Sequence, residues 1–235
     1  MSLETFEGFN IYHYKEVVST NTEALDLISK GISDEIVVIA DKQTGGKGRA
    51  GKTWLSPEGN LYASLIINQV QRLTEFTFIS ALAVGNTLLS LISNINLQYK
   101  WPNDVLIDSQ KISGILLERQ FNSSFLVIGI GINIVYAPLP NSTCISNYGI
   151  SISNMDLLKR LIINFNRLRQ MWLSGGFCVI KELWLQRAFK LNEQVSIKFS
   201  DKLYKGVFTD INECGKLVLQ KKNKSLVCFN AGSIL

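Results

Sequence analysis

One histidine, His13, serves the whole chain of 235 residues. A Ser-His-Asp triad or a multi-histidine metal site would have to rest on that one imidazole. Its neighbours Tyr12 and Tyr14 look like a strand, which makes a surface or half-buried position its better reading. Cysteine is sparse too. Cys144, Cys178, Cys214 and Cys228 form no C-x-x-C pair, which argues against structural zinc and for free thiols in a reducing cytoplasm. No apolar run reaches the ~20 residues of a membrane span. The first residues, MSLETFEGFNIYHYKEV, lack a basic end followed by an apolar stretch, so they are not a secretion signal. Internal repeats and low-complexity linkers are missing as well. Chemistry here must run on Lys, Arg, Asp, Asn and backbone groups. That suits reactions limited by positioning and charge neutralisation rather than by proton shuttling.

What remains is an ordered, soluble globular composition, 46% apolar and 18% charged. The length allows one sizeable core plus a small satellite. The net charge is +5, and residues 191–235 carry seven lysines against four acids. Such a basic bias could attract an acidic partner or nucleic acid, or be a solvated face.

Strand-like and helix-like segments alternate. Residues 9–14, 36–40 and 61–67 read as strands, and 75–93 as a long buried helix. Thr20 and Glu23 have capping-box spacing before a helix that Gly31 would stop. Strands are expected at 97–101, 111–118 and 125–134, with Asp108-Ser109-Gln110 as a hairpin turn after Val105-Leu106-Ile107. Residues 155–173 and 178–190 look helical. From Leu191 onward, short strands parted by Asp, Asn and Gly turns suggest a small all-β barrel that packs on the larger unit. The expected domains are 1–190 and 191–235.

Three motifs carry chemistry. Gln43-Thr-Gly-Gly-Lys-Gly-Arg-Ala-Gly-Lys52 holds four glycines and three cations directly after an apolar run. Such a loop can turn backbone N–H groups toward an anion. It matches neither the P-loop nor the dinucleotide fingerprint. Lys100-Trp-Pro-Asn-Asp104 clusters an ammonium, an amide and a carboxylate where Pro102 ends a strand. Lys100 could hold an anion or a developing phosphate charge; Asp104 could bind Mg²⁺ or orient a lysine. Gly129-Ile-Gly-Ile-Asn133 puts two glycines in an apolar strand, implying close approach by a ligand or a neighbouring strand. Asn133 could read an adenine edge or cap a turn.

Together with Ser19-Thr20-Asn21, Trp54, and Lys111 with Gly114-Ile115-Leu116, these motifs resemble the biotin protein ligases in family order, from about residue 10 to the C-terminus. The resemblance implies an α+β fold: a mixed sheet flanked by helices, like a class II synthetase, with a C-terminal SH3-like barrel. It implies that biotin's carboxylate attacks the α-phosphorus of ATP, with Mg²⁺, giving biotinyl-5′-AMP. A lysine of a biotin carboxyl carrier protein domain then takes the biotinyl group. By the family pattern Lys100 and Arg49 are catalytic. Ser19, Thr20, Asn21, Gln43, Gly46, Lys47, Gly48, Lys100 and Gly114 bind biotin. Arg49, Lys52, Trp54, Asn103, Lys111 and Asn133 serve ATP, and Asp104 the metal.

Family loops commonly read G-R-G-R-x-G, whereas Lys47 and Ala50 stand here where arginine is frequent; lysine lacks the bidentate fork. The chain begins at the catalytic domain, so operator binding is not expected, and neither is a membrane. The main sheet offers an edge strand for a homodimer. A lipoate ligase or octanoyltransferase of related fold would carry a histidine beside a glycine cluster, and none lies there. A nucleic-acid-binding module built on the basic C-terminal unit would bind in a steeply salt-dependent way, and would leave the other motifs without a purpose.

Overall fold

The computed structural model describes residues 2–68, 72–121, 123–200 and 202–235. Its larger sheet has eight strands in the order β1-β2-β3-β4-β8-β7-β6-β5. These are β1 (Ser2–Phe6), β2 (Phe9–Val17), β3 (Ile36–Gln43), β4 (Leu61–Ile67), β5 (Leu97–Lys100), β6 (Asp104–Ile107), β7 (Gln110–Glu118) and β8 (Leu126–Ile132). β2 and β3 pair in parallel through a crossover helix, α1 (Thr20–Ser29); the other neighbours are antiparallel. The sheet is therefore mixed, as expected.

One face of the sheet is dry. Ile39, Ala63, Leu65, Ile128 and Ile130 bury there with α2 (Glu75–Leu91) and α3 (Asn154–Leu185). α2 is apolar on nearly every side because it lies between the sheet and α3. Aromatic contacts join the two helices: Phe76 meets Trp172 at 5.1 Å, and Phe78 meets Phe177 and Trp184 at 5.2 Å each. α3 breaks at Gly176, whose φ of 70° is outside the helical range. That break is why its sequence reads as two helices.

The opposite face is only partly covered. α1 lies there over Ile36, Val38, Ile66 and Val127 through Ala24. Its N-cap is Ser19, not Thr20, and the Thr20–Glu23 capping box does not form. The Thr20 hydroxyl is engaged elsewhere.

A second sheet follows, in the order β12-β11-β10-β9-β13: β9 (Gln194–Phe199), β10 (Lys202–Ile211), β11 (Leu217–Gln220), β12 (Leu226–Phe229) and β13 (Ser233–Ile234). It is antiparallel throughout and fits an SH3-like unit. The expected barrel is not closed: β12 and β13 are its outer strands. Its core runs into that of the large sheet, with Val195, Ile197, Phe208 and Leu217 in the same buried cluster as Phe78 and Trp101. The Trp101 indole donates to the Gly215 carbonyl at 3.2 Å.

The chain between α3 and β9 binds the edge of β5. Tyr99 N–H donates to Arg187 O, and Phe189 N–H to Tyr99 O, each at 2.8 Å. Residues 104–107 form a strand of their own, and the turn between β6 and β7 has Asp108 and Ser109 at φ 50° and 64°. That is the backbone a two-residue hairpin requires.

Candidate active site

Sheet register assembles the centre of the partly covered face. Tyr62 pairs with Gly131, Gly131 with Gly114, Gly114 with Asp104, and Asp104 with Lys100. Directly opposed residues point to one face, so this row crosses β4, β8, β7, β6 and β5 in one line. The next row sets Ser64 against Gly129 and Gly129 against Leu116.

The glycines leave room for side chains of this same chain. A Cβ on Gly131 would lie 2.6 Å from the Trp54 ring, and one on Gly114 would lie 3.0 Å from it. A Cβ on Gly129 would press into the Asn21 amide. Trp54 thus lies flat on a glycine floor, with the Lys111 ammonium 5.1 Å from its ring centroid.

A chain of polar contacts runs under the start of α1. Glu118 accepts from Asn21 Nδ2 at 2.7 Å, and Ser64 Oγ reaches Asn21 Oδ1 at 2.5 Å. Ser64 Oγ is also 2.8 Å from Thr20 Oγ1. The Thr20 amide donates to Gln43 Oε1 at 2.8 Å, and Gln43 Nε2 to Ser56 Oγ at 2.8 Å. Asn21 Oδ1 can only accept, so the Ser64 proton belongs to it, and Thr20 donates either to Ser64 or to Gln43. Every member is held, which preorganises a largely buried polar cluster, uncharged from Asn21 to Ser56 and ending in the Glu118 carboxylate.

The glycine-rich loop is a flap closed on itself. Lys47 bridges Thr53 in antiparallel fashion, with Gly48 N–H to Lys52 O at 2.7 Å and Trp54 N–H to Gly46 O at 2.9 Å. Thr44 and Gly45 donate back to Val17 and Val18. Those amides are therefore engaged within the chain. The flap's tip docks on the second motif: Arg49 Nη1 donates to Asn103 Oδ1 at 3.2 Å, and Asn103 Nδ2 to Ile115 O at 2.8 Å. Beside this contact lies a cleft of about 180 Å³, lined by Arg49, Trp101, Asn103, Leu116 and Gly215 among others.

Lys100 is half-buried, and loss of water lowers its pKa below the ordinary 10.5; Lys190, Lys111 and Lys52 push the same way, and Asp104 opposes them. Burial likewise lowers Arg49, which stays charged. Of the two roles open to Asp104, the lysine contact is present: Lys111 Nζ stands 2.5 Å from Asp104 Oδ1, off the line of a good hydrogen bond. Among the described residues no group of three or more His, Cys, Asp or Glu is placed to hold a metal. The residues present do not make a magnesium site by themselves.

Asn133 donates from Nδ2 to Thr143 O at 3.0 Å, so it fastens the following loop. Its Oδ1 and the Trp54 Nε1 are buried and without partners among the described residues. Unsatisfied buried polar atoms call for an occupant.

The structure thus gathers Ser19, Thr20, Asn21 and Gln43 at one end, and Lys100, Asp104, Lys111, Gly114, Arg49 and Asn103 at the other. Lys47 and Lys52 stay exposed on the flap. His13 stands apart, half-buried and 2.7 Å from Asp41. Sequence reasoning missed Ser64, Ser56 and Glu118. Ser64 had a signal, a lone hydroxyl in the apolar run Leu61-Tyr-Ala-Ser-Leu-Ile-Ile67.

Known proteins are similar to this chain. The profile of the biotin/lipoate A/B protein ligase family matches residues 14–134. The chain is 31% identical over 218 residues to a biotin–[acetyl-CoA-carboxylase] ligase of Paracoccus denitrificans, covering 86% of this chain and 90% of that one. It is 29% identical to the bifunctional ligase/repressor BirA of Bacillus subtilis, covering 91% of this chain and 70% of that protein. A solved biotin protein ligase from Aquifex aeolicus, in complex with biotin and ATP, superposes with a TM-score of 0.83 at 26% identity, over 96% of this chain and 97% of that one. The chain belongs to the biotin/lipoate A/B protein ligase family.

Proposed function

We propose that this chain couples biotin to ATP, forming biotinyl-5′-AMP, and hands the biotinyl group to a lysine of a biotin carboxyl carrier protein domain. The observation that carries this reading is the polarity of the site. A buried neutral pocket at Thr20, Gln43 and Ser64 suits an uncharged ureido ring. At the other end of the glycine floor stands a half-buried ammonium, Lys100, which suits the carboxylate.

The coupling follows from charge. A biotin carboxylate oxygen attacks the α-phosphorus; the bond to the bridging oxygen breaks, and pyrophosphate leaves with the electron pair. Both partners are anions, and Lys100, Arg49, Lys52 and Lys111 offset their repulsion. Trp54 Nε1 and Asn133 Oδ1, a free donor and a free acceptor, suit the edge of a purine. Ser19, Asn21, Gly46, Lys47, Gly48 and Gly114 line biotin's side, and Asn103 positions Arg49. In the second step the carrier's amine attacks the acyl carbon and AMP departs, so no nucleophile of the enzyme is needed. The flap over Asn103 keeps water from the acyl-adenylate. Among the described residues Asp104 would be the carboxylate offered to magnesium, and it is already ion-paired to Lys111. That metal keeps mostly water and phosphate oxygens around it, and no step of the coupling is assigned to it.

The work divides between two units, residues 1–190 for catalysis and 191–235 for support of the nucleotide or carrier. A homodimer through the main sheet would use the β1 edge, since residues 187–189 cover β5. No described helix is long and apolar enough to cross a membrane, and we place the enzyme in the cytoplasm.

Thermal shift with biotin, with and without MgATP, tests the reading. Stabilisation well beyond that from either ligand alone is expected, because the adenylate binds only the folded state. Absence of biotin-dependent pyrophosphate release would refute it. A second expectation concerns pH. The folded chain holds the Lys100 proton less tightly than the unfolded chain, so stability rises with pH between the two values. In the same range the free enzyme loses its ammonium, so kcat/KM for adenylate formation should fall along a limb centred below 10.5. Lys100→Arg should remove that limb; an unchanged limb would clear Lys100 of the role.

A further inference from the structure

Lys190 lies outside every sequence motif, at the junction of α3 and the second sheet. Its position is nonetheless well defined. Residues 187–189 are fixed to β5 in both directions through Tyr99, the neighbour of Lys100. The next bonds along the chain, Asn192 N–H to Phe208 O and Phe208 N–H to Glu193 O, tie the far side to β10. Between these anchors Lys190 adopts φ 60°. Its ammonium lies 5.3 Å from the Phe189 ring centroid, and the Lys100 ammonium lies 5.5 Å from the same centroid. Lys190 Nζ also donates to a terminal oxygen of Leu235, the last residue of the sequence, at 3.2 Å, which leaves other protons of the ammonium free.

The charge around this pair is lopsided. Lys190, Lys111 and Lys52 all bear on Lys100, against Asp104, which is ion-paired to Lys111. Ammonium groups that outnumber the acids among them repel each other unless an anion joins them. Biotin's carboxylate and the α-phosphate account for Lys100. The β- and γ-phosphates still need cations, and Lys190 is a neighbouring one not yet assigned.

We propose that Lys190, set beside Lys100 across the Phe189 ring, binds the β- and γ-phosphates of ATP and holds the departing pyrophosphate. The assignment rests on the adenylation reading. As the bond from the α-phosphorus to the bridging oxygen breaks, negative charge grows on that oxygen and its phosphates. An ammonium there stabilises the leaving group, with no proton transferred. Lys190 thereby links the second sheet to the first step, since the position of its backbone depends on β10.

Calorimetric titration of inorganic pyrophosphate into the full chain, without biotin, tests this. Lys190→Gln keeps the aliphatic stem on Phe189 and removes the charge. It should weaken pyrophosphate binding about tenfold, the size of one charge-assisted contact. Lys190→Arg should restore most of it, and Lys224→Ala, an exposed lysine of the second sheet, should change nothing. Biotin affinity should stay level in all three variants, while the KM for pyrophosphate in the exchange reaction rises for Lys190→Gln. Equal pyrophosphate affinity in Lys190→Gln and Lys224→Ala overturns the proposal, as does wild-type protein that takes up no pyrophosphate. Lysine-dependent uptake without biotin-dependent exchange would instead refute the biotin reading and leave the anion site standing.

Discussion

Lys100→Ala should cut adenylate formation by about 10²–10³-fold, the usual cost of removing a group that stabilises developing charge. Folding should be nearly untouched. Among the described residues Lys100 has no ion pair, its pKa is lowered by burial, and its neighbours Lys190, Lys111 and Lys52 repel it. Deleting it relieves the burial of its charge and that repulsion, and gives up the attraction of Asp104. The two effects therefore separate, with a large loss in pyrophosphate exchange and an unchanged or slightly higher Tm. Biotin binding should weaken less than exchange, because the ureido pocket at Thr20, Gln43 and Ser64 lies at the other end of the floor. Exchange within threefold of wild type would remove Lys100 from the chemistry. A collapsed Tm would show that the residue is structural.

Gly129→Ala should cost more in binding than any comparably small change. The added methyl would stand 2.9 Å from Asn21 Cγ and 3.0 Å from Nδ2, and nearer still to Oδ1. Asn21 is 3% exposed and cannot retreat, because Glu118 and Ser64 hold its amide from both sides. Overpacking of this kind costs about 1–3 kcal/mol. The displaced residue is the second of α1, next to Thr20, so the shift passes directly to Gln43 and the ureido pocket. Biotin affinity should drop by about 100-fold, roughly 2.7 kcal/mol, with Tm lower by several degrees. The double variant Gly129→Ala, Asn21→Gly should recover stability but not affinity, a coupling that a mutant cycle reads directly. Gly129→Ala protein that binds biotin like wild type would mean that the Asn21 position is unimportant.

The glycine pair of β8 marks the boundary of what was legible. That something approached the strand closely could be read from two glycines in an apolar run. That Asn21 and Trp54 do the approaching could not, because they lie 108 and 77 residues away along the chain from Gly129 and Gly131. The two-helix reading of 155–190 has a local reason, a glycine at positive φ, but the second helix ends at Leu185, and the residues after it turn to pair with β5 instead. The capping box failed for a non-local one: Thr20 has the right spacing, but Gln43 and Ser64 compete for its hydroxyl. Asp104 shows the same limit. A carboxylate after Pro-Asn suits a metal or a lysine equally, and only the pairing of β6 with β7 brings Lys111 within its reach.

The chain's order of residues by itself settled the alternation of strands and helices, the later all-β segment and the three motifs, and the resemblance those motifs carry implied the mixed sheet. The elements depend on periodicity and spacing over ten or fewer neighbours, which local conformational preference controls. Tertiary structure alone decided the row Tyr62-Gly131-Gly114-Asp104-Lys100, the pocket held by Ser64 and Glu118, the closed flap on Asn103, and the place of Lys190 beside Lys100. Register between distant strands creates those contacts. A slip of one residue would turn each of these side chains to the other face, and only the buried core under α2 and α3 prevents it.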